Sequence, residues 1–571
     1  MVVIPFGKGK RYHYLARRTL ARRGLLRYDE RGPLKNNNMI LPRAFLRACR
    51  RSLRRPKLAD SLGTELTGGK LLAGALIFRR LLLREVLSPD EKYVGLLLPP
   101  SAAGVLANVA LPMAGRIAVN LNYTVSPGVM SSCIRQCGIR HVLTSRKVLE
   151  KLHFQLDVEA VLLEDLRRKT TKFDKLAAAL GAYVTPLGIL ERRLGLTKIG
   201  VDDVLTVIFT SGSTGDPKGV MLTYGNVGSN VEAIDQLVRL NDHDVLLGIL
   251  PFFHSFGYTA TLWTVLTLSP KGVYHVSPLE ARQIGDLSKK QRVTILIATP
   301  TFLRSYLKRC QPEEFAALDV VVAGAEKLPT ELCDAFEERF GVRPVEGYGC
   351  TELSPLVAVN IPPSRASATT AMTAKEGTVG RPIPGVAAKI TELDGISDDG
   401  IGAELGRNHP GMLWIKGPNV MRGYLGHDEM TAKAVRDGWY QTGDVALIDD
   451  DGFIRITGRL SRFSKIGGEM VPHIKIEETL QKVVAAGEDE LTIAVTAVPD
   501  SRKGERLVVI HTMLDKSPVV ICKELAQAGL PNLWIPGADS FCQVESIPVL
   551  GTGKVDLKGL KELALARFGT A

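Results

Sequence analysis

The stretch with the greatest chemical content is Thr210-Ser211-Gly212-Ser213-Thr214-Gly215-Asp216-Pro217-Lys218-Gly219, placed directly after the apolar run 204–209. Its glycines let the backbone turn so that successive N–H groups point inward, and four hydroxyls and one lysine add further donors. Together these make a cradle for an anion, and phosphate is the natural guest. The loop is not a Walker A sequence, because Pro217 stands where that pattern needs Gly before Lys and Gly219 replaces its Ser or Thr. A flexible glycine-serine linker is the alternative, but it fits poorly between a buried strand and Lys218.

Such a loop needs a rigid strand behind it, and the chain supplies many. Residues 94–98, 101–115 and 117–121 read as strand, helix and strand of a buried βαβ unit. Strand-like runs at 204–209, 245–250, 294–298 and 320–322 alternate with amphipathic stretches, which predicts a mostly parallel, doubly wound α/β body. Residues 58–87 read as helical. After residue 377 short strands separated by Gly, Asp and Pro turns predict a small antiparallel or barrel-like subdomain ending near 453–457. From 460 onward a helix at 475–486 and a strand at 492–498 predict a separate α+β unit. The expected division is a basic arm at 1–58, a main domain at 59–459 and a C-terminal domain at 460–571.

The chain has 571 residues and a formal charge of +13, but residues 1–58 hold 17 basic and 2 acidic side chains, so the other 513 sum to −2. The basic character therefore belongs to an arm. Nucleic-acid binding is not expected, since the arm lacks interleaved stacking aromatics and no helix-turn-helix or zinc-finger pattern follows. An anionic membrane surface, an acidic protein partner or plain solvation all suit it. Residues 166–198 carry 8 basic and 2 acidic residues with Leu176, Leu180, Leu187, Ile189 and Leu190 interleaved, a pattern that can lie on lipid. A solvated helix pair is the other reading. The uncharged run 94–115 is broken by Pro99, Pro100 and Gly104, so no membrane span is expected. Eight cysteines are too few for a disulfide framework, and Cys133 with Cys137 has no second ligand pair. Reduced thiols imply a cytoplasmic protein, with the inner face of the membrane as its place of contact if it has one.

The glycine- and hydroxyl-rich decapeptide resembles the signature of the adenylate-forming enzymes, which include acyl-CoA synthetases, luciferases and adenylation domains. Further motifs follow in that family's order. Pro251-Phe252-Phe253-His254-Ser255-Phe256-Gly257 resembles its acyl-pocket motif, and Gly347-Tyr348-Gly349-Cys350-Thr351-Glu352 its adenine and magnesium motif. Trp439-Tyr440-Gln441-Thr442-Gly443-Asp444 resembles the ribose motif, Gly458-Arg459 the hinge, and Gly551-Thr552-Gly553-Lys554 the C-terminal catalytic loop.

The resemblance implies roles for particular residues. Thr210, Ser211, Gly212, Ser213, Thr214, Gly215 and Lys218 would surround the phosphates of ATP, while Gly324, Ala325, Glu326, Gly347, Tyr348 and Gly349 would line the nucleotide. Thr351 and Glu352 would act at the phosphates, Glu352 as a ligand of Mg²⁺, because hard oxygens suit that ion. Asp444 would accept hydrogen bonds from the ribose, and Arg459 would donate to sugar or phosphate. Lys554 would bridge the carboxylate and the α-phosphate in the transition state, and His254 would gate the acyl tunnel. The C-terminal domain would rotate about the hinge between two half-reactions, presenting Lys465, Gly467 and Gly468 to a phosphopantetheine arm.

The hinge sequence, with Arg462 where the family commonly has an acid, and the segments 97–101, 120–124 and 324–328 are similar to the synthetase half of bifunctional 2-acylglycerophosphoethanolamine acyltransferase/acyl-[acyl-carrier-protein] synthetases. No histidine here is followed by Asp at the His-x-x-x-x-Asp spacing of the acyltransferase half, so that activity is not expected. The leading expectation is an ATP-dependent long-chain fatty acid:acyl carrier protein ligase, with Arg462 and the basic arm facing an acidic carrier. The alternatives are a long-chain acyl-CoA synthetase and, in another class, a membrane-associated protein that binds acyl-nucleotide without turnover.

Overall fold

The computed structural model describes residues 39–152, 156–210, 217–366, 372–393, 401–467, 469–484, 492–500, 502–549 and 555–569. Among these residues the N-terminal body is built on two large sheets. In one, the strands Val345–Gly349, Val320–Ala323, Ile295–Ala298, Val245–Gly248, Lys271–Tyr274 and Pro56–Asp60 lie side by side and parallel. In the other, Val204–Thr210, Ile117–Asn120, Tyr93–Leu96, His141–Thr144 and Glu159–Leu162 are parallel, and Lys218–Thr223 folds back antiparallel on Val204–Thr210. Helices cover these sheets, so the strands are buried on both faces and read as continuous apolar runs.

The βαβ unit shows how the sequence produces this. Ala102–Met113 buries ten of its twelve residues, which is why it shows no polar stripe. Ser101 caps it by accepting from the Gly104 N–H. Its one buried polar residue, Asn108, exchanges amide hydrogen bonds with Asn120 on the following strand (3.1 and 2.8 Å). Truncating either leaves the other unsatisfied in the core. Among the described residues no helix is long and apolar enough to cross a membrane.

Two expectations need correction. Residues 1–38 of the expected arm lie outside the described residues, but from Ile40 on the chain is core rather than arm. Leu41–Arg51 is a helix in which Leu41, Phe45, Leu46 and Cys49 are wholly buried, and Pro56–Asp60 is an inner strand of the large sheet. The arginines at 43, 47, 50 and 51 sit between those apolar positions, so a net charge summed over the segment hides its 3.6-residue period. The predicted helix at 58–87 begins only at Gly68. Before it, Pro56–Asp60 and Glu65–Thr67 form a hairpin whose turn contains Gly63 at φ +88°, and Asp60 accepts from the Leu62 and Thr64 N–H groups.

Beyond residue 380 the small antiparallel subdomain pairs Ala387–Thr391, Gly411–Lys416, Trp439–Ile448 and Ile454–Arg459. The turn Leu460–Arg462 then leads into a separate sheet, Glu469–Pro472, Phe463–Ile466, Gly504–His511, Ile493–Asp500 and Phe541–Gln543. That unit has its own apolar core around Ile466, Ile476, Leu480, Val495 and Val509, as a domain able to move as one piece requires.

Candidate functional site

Three of the motifs singled out in the sequence fall directly after the carboxyl ends of strands in the large parallel sheet. Val245–Gly248 leads to the 251–257 segment, Val320–Ala323 to Gly324, Ala325 and Glu326, and Val345–Gly349 to Cys350, Thr351 and Glu352. Between Val245–Gly248 and Ile295–Ala298 the strand order reverses direction, and ligands of open α/β sheets bind in the crevice at such a switch point.

Asp444 and Arg459 are direct cross-strand neighbours in the antiparallel subdomain, which explains how residues fifteen apart meet. Arg459 Nε lies 3.4 Å from Asp444 Oδ1. The Tyr348 hydroxyl donates to the other carboxylate oxygen. Burial and the Asp444 charge push the Tyr348 phenol well above its ordinary value, so it remains a donor. A carboxylate has about four acceptor positions, so Asp444 can take several donors at once. The Thr442 hydroxyl donates to the Leu413 carbonyl and accepts from the Asp444 N–H, fixing the turn.

Glu352 accepts a hydrogen bond at 3.0 Å from the hydroxyl of Tyr424, a residue that sequence reasoning missed. The two-residue strand Gly423–Tyr424 pairs with Lys218–Thr223, and this brings the Tyr424 ring to 5.7 Å from Lys218 Nζ. Its only sequence signal was an aromatic after glycine. Among the described residues no group of three or more His, Cys, Asp or Glu side chains could hold a metal ion. A magnesium ion at Glu352 would therefore take its remaining ligands from phosphate and water, as this small hard ion usually does, and the single carboxylate fits that habit. Thr351 Oγ1 lies 3.4 Å from Ser255 Oγ, joining the phosphate side to the 251–257 segment. The Cys350 thiol is pushed well up by burial and by Glu352 and stays neutral, so it offers no nucleophile.

Thr210 and Lys218 stand opposite each other in register at the mouth of the glycine- and hydroxyl-rich loop. Gln136, on the helix Pro127–Cys137, donates to the Pro217 carbonyl at 3.1 Å and braces one side of that mouth. Ser211, Gly212, Ser213, Thr214 and Gly215 lie outside the described residues, as do Gly468 and Lys554. Gly324 packs under the Phe256 ring, where a Cβ would come within 3.1 Å. Ala325 adopts φ +71°, a strained conformation for a non-glycine residue, and Glu326 accepts from the Thr301 hydroxyl at 2.7 Å.

The 251–257 segment is aromatic. The His254 ring lies tilted at 4.7 Å from Phe253, which meets Tyr123 edge-on at 4.8 Å. The chain then enters a π-helical turn, Gly257–Trp263, and at Gly257 any side chain would strike the Pro251 carbonyl oxygen at 2.2 Å. Only glycine lets the segment fold back so tightly behind His254.

One expected role is corrected. Arg462 does not face a partner: it is 8% exposed, and its guanidinium pairs with Glu477, whose second oxygen accepts from the Val495 N–H. Glu477, fixed by the Val495 strand, holds this arginine inward. Lys465 and Gly467 are exposed, Gly467 at φ +59° in the turn before Glu469–Pro472.

These elements have close relatives among known proteins. A long-chain-fatty-acid–CoA ligase of Haemophilus influenzae is 27% identical over 504 residues, covering 83% of this chain and 86% of its own. A protein of the same name from Bacillus subtilis is 32% identical over 373 residues, 63% of this chain and 62% of its own. The structure of ATP-bound MatB from Rhodopseudomonas palustris superposes with a TM-score of 0.73 over 93% of this chain and all of its own, at 23% identity, and so shares the fold. The family model described as AMP-binding enzyme matches residues 45–425, which take in the phosphate loop mouth, the acyl-side segment and Glu352; the chain belongs to the AMP-binding enzyme family.

Proposed function

We propose that this chain is an AMP-forming long-chain fatty acid:CoA ligase. The observation that carries the reading is the convergence of Tyr348, Glu352, Asp444 and Arg459 beside the mouth of the phosphate loop, with the aromatic segment around His254 on the adjoining strand end. In the first half-reaction the fatty carboxylate attacks the α-phosphate of ATP, forming acyl-adenylate and releasing pyrophosphate. In the second the pantetheine thiol attacks the acyl carbonyl, forming the thioester and releasing AMP.

The protein's part is positioning and electrostatics. Asp444 accepts from the ribose, and Tyr348 and Arg459 hold that carboxylate in place. Lys218 and the 210–216 loop donate to phosphate oxygens. A magnesium ion held by Glu352 would neutralise phosphate charge. Lys554 supplies positive charge at the reacting phosphate, and His254 with its ring neighbours borders the acyl entrance. Domain rotation about Arg459 and Leu460 then exchanges the Lys554 loop for the face carrying Lys465, Gly467 and Gly468.

CoA is preferred here to the acyl carrier protein favoured by the hinge resemblance, for two reasons. The relatives named above are CoA ligases. Arg462, the charge expected to meet an acidic carrier, is taken up by Glu477. The test is palmitate-dependent AMP formation with ATP and Mg²⁺, run in parallel with CoA, holo-acyl carrier protein and no acceptor. Turnover with CoA supports the proposal, turnover with the carrier protein alone restores the first expectation, and no AMP across several chain lengths leaves a non-catalytic acyl-nucleotide binder.

A further inference from the structure

Between residues 170 and 195, ahead of the phosphate-loop strand, lie two short helical pieces, Lys172–Ala179 running into Leu180–Val184, and Leu187–Arg193. Six large apolar side chains there are exposed: Phe173 66%, Leu176 59%, Leu180 49%, Tyr183 45%, Val184 68% and Ile189 45%. The first five follow at steps of three, four, three and one, so they share one helical face. Exposures of this size mean that the side chains project outward rather than line a cleft.

The charges are sorted just as sharply. All eight basic residues of 166–198 are exposed, whereas both acidic ones are buried. Asp174 is held by Arg80 and Arg84 at 3.0 and 2.9 Å, and Glu191 by Arg43 and Arg47 at 2.8 and 3.3 Å. Both acids are thus used to pin the segment to the helices Leu41–Arg51 and Gly68–Glu85. Two of the cations, Arg168 and Lys169, make surface pairs with Asp165 and Glu85. The remaining Arg167, Lys172, Lys175, Arg192, Arg193 and Lys198 are exposed on or beside the same helical pieces, so basic side chains flank the apolar face along the chain.

We infer that this face docks on an anionic lipid bilayer. Projecting apolar side chains need a deformable partner that closes around them, and flanking basic side chains are attracted to acidic headgroups. A second copy of the chain would set like charges against each other. Because Asp174 and Glu191 fix the segment to the body, the face is preorganised and loses little conformational freedom on docking. The inference does not depend on the ligase reading.

The experiment is flotation of the full chain with vesicles of phosphatidylcholine with and without phosphatidylglycerol, using wild type, Leu176→Glu/Val184→Glu and Lys172→Glu/Lys175→Glu. All four positions are exposed, so unchanged melting temperatures are expected. Wild type should float with the phosphatidylglycerol vesicles. The apolar pair should lower its partition by about tenfold or more, and the charge pair should weaken it and reduce its preference for the anionic lipid. The basic residues before 39 can attract the same lipid, so the apolar pair decides: undiminished flotation of that variant overturns the inference. Absence of wild-type flotation overturns it too, as does self-association in sedimentation that the apolar pair abolishes.

Discussion

Arg459 and Arg462 stand three residues apart on either side of the hinge, and each meets a carboxylate, yet the two regions use the pair differently. Arg459 is 58% exposed beside an Asp444 that is only 13% exposed, their contact is 3.4 Å, and Asp444 is shared with Tyr348. Arg462 and Glu477 are 9% and 16% exposed at the side chain, and Glu477 spends its second oxygen on the backbone. The first pair keeps an exposed guanidinium that can turn to a ligand while Tyr348 still holds the carboxylate. The second is closed and holds a small domain together. An ion pair's burial and the satisfaction of its remaining lone pairs, more than its residue types, decide which role it takes.

The sharpest way to break this contrast is Arg462→Ala, which leaves the Glu477 charge buried and uncompensated. We expect a loss of about 3–5 kcal/mol from the C-terminal domain in urea unfolding, against about 1 kcal/mol for Arg459→Ala, where the lost guanidinium is exposed and Tyr348 still donates to Asp444. Equal losses would show that the two pairs do not differ in kind.

Asp444→Ala should do the reverse, lowering kcat/KM for ATP in pyrophosphate exchange by about a hundredfold, or ~2.7 kcal/mol, with little change in melting temperature. A large melting shift with normal exchange would assign Asp444 to structure.

A third test uses His473, which is 4% exposed and lies 2.7 Å from Ser464 beside the closed pair. Burial first, then Arg462 and Lys561, lower its pKa from 6.5 to about 3. The unfolded chain therefore binds a proton below pH 6.5 that the folded domain refuses, and stability present above that pH is lost as pH falls. From pH 6.5 to pH 5 the loss should be about 2 kcal/mol. His473→Gln should flatten that part of the urea-derived pH profile.

The smallest effect is expected at Lys327, whose 2.6 Å contact with Glu478 joins the main body to the C-terminal domain but is 75% exposed. Lys327→Ala should change unfolding by no more than about 0.5 kcal/mol.

Much of the body was legible because local signals and global fold agree there. The strands at 94–98, 204–209, 294–298 and 320–322 are short apolar runs bounded by turns, and the structure places them within one or two residues. The motif residues Tyr348, Asp444 and Arg459 were also found, and the structure brings them together. Tyr424 was not, because its value comes from a two-residue strand pairing across about 200 positions. Arg462 was read as a surface charge because a sequence shows charge and hides burial. The same blindness turned the core helix Leu41–Arg51 into part of an arm.

By itself, then, the sequence determined the class of fold and the kind of guest, since glycine freedom, hydroxyl and lysine donors and strand periodicity are properties of residues and their spacing. Tertiary structure alone decided which charges are spent inside and which remain available. It turned Asp174, Glu191 and Arg462 inward, left Arg459 exposed beside Asp444 and set Tyr424 against Glu352. Desolvation and partner geometry fix those roles, and both exist only once distant segments have packed.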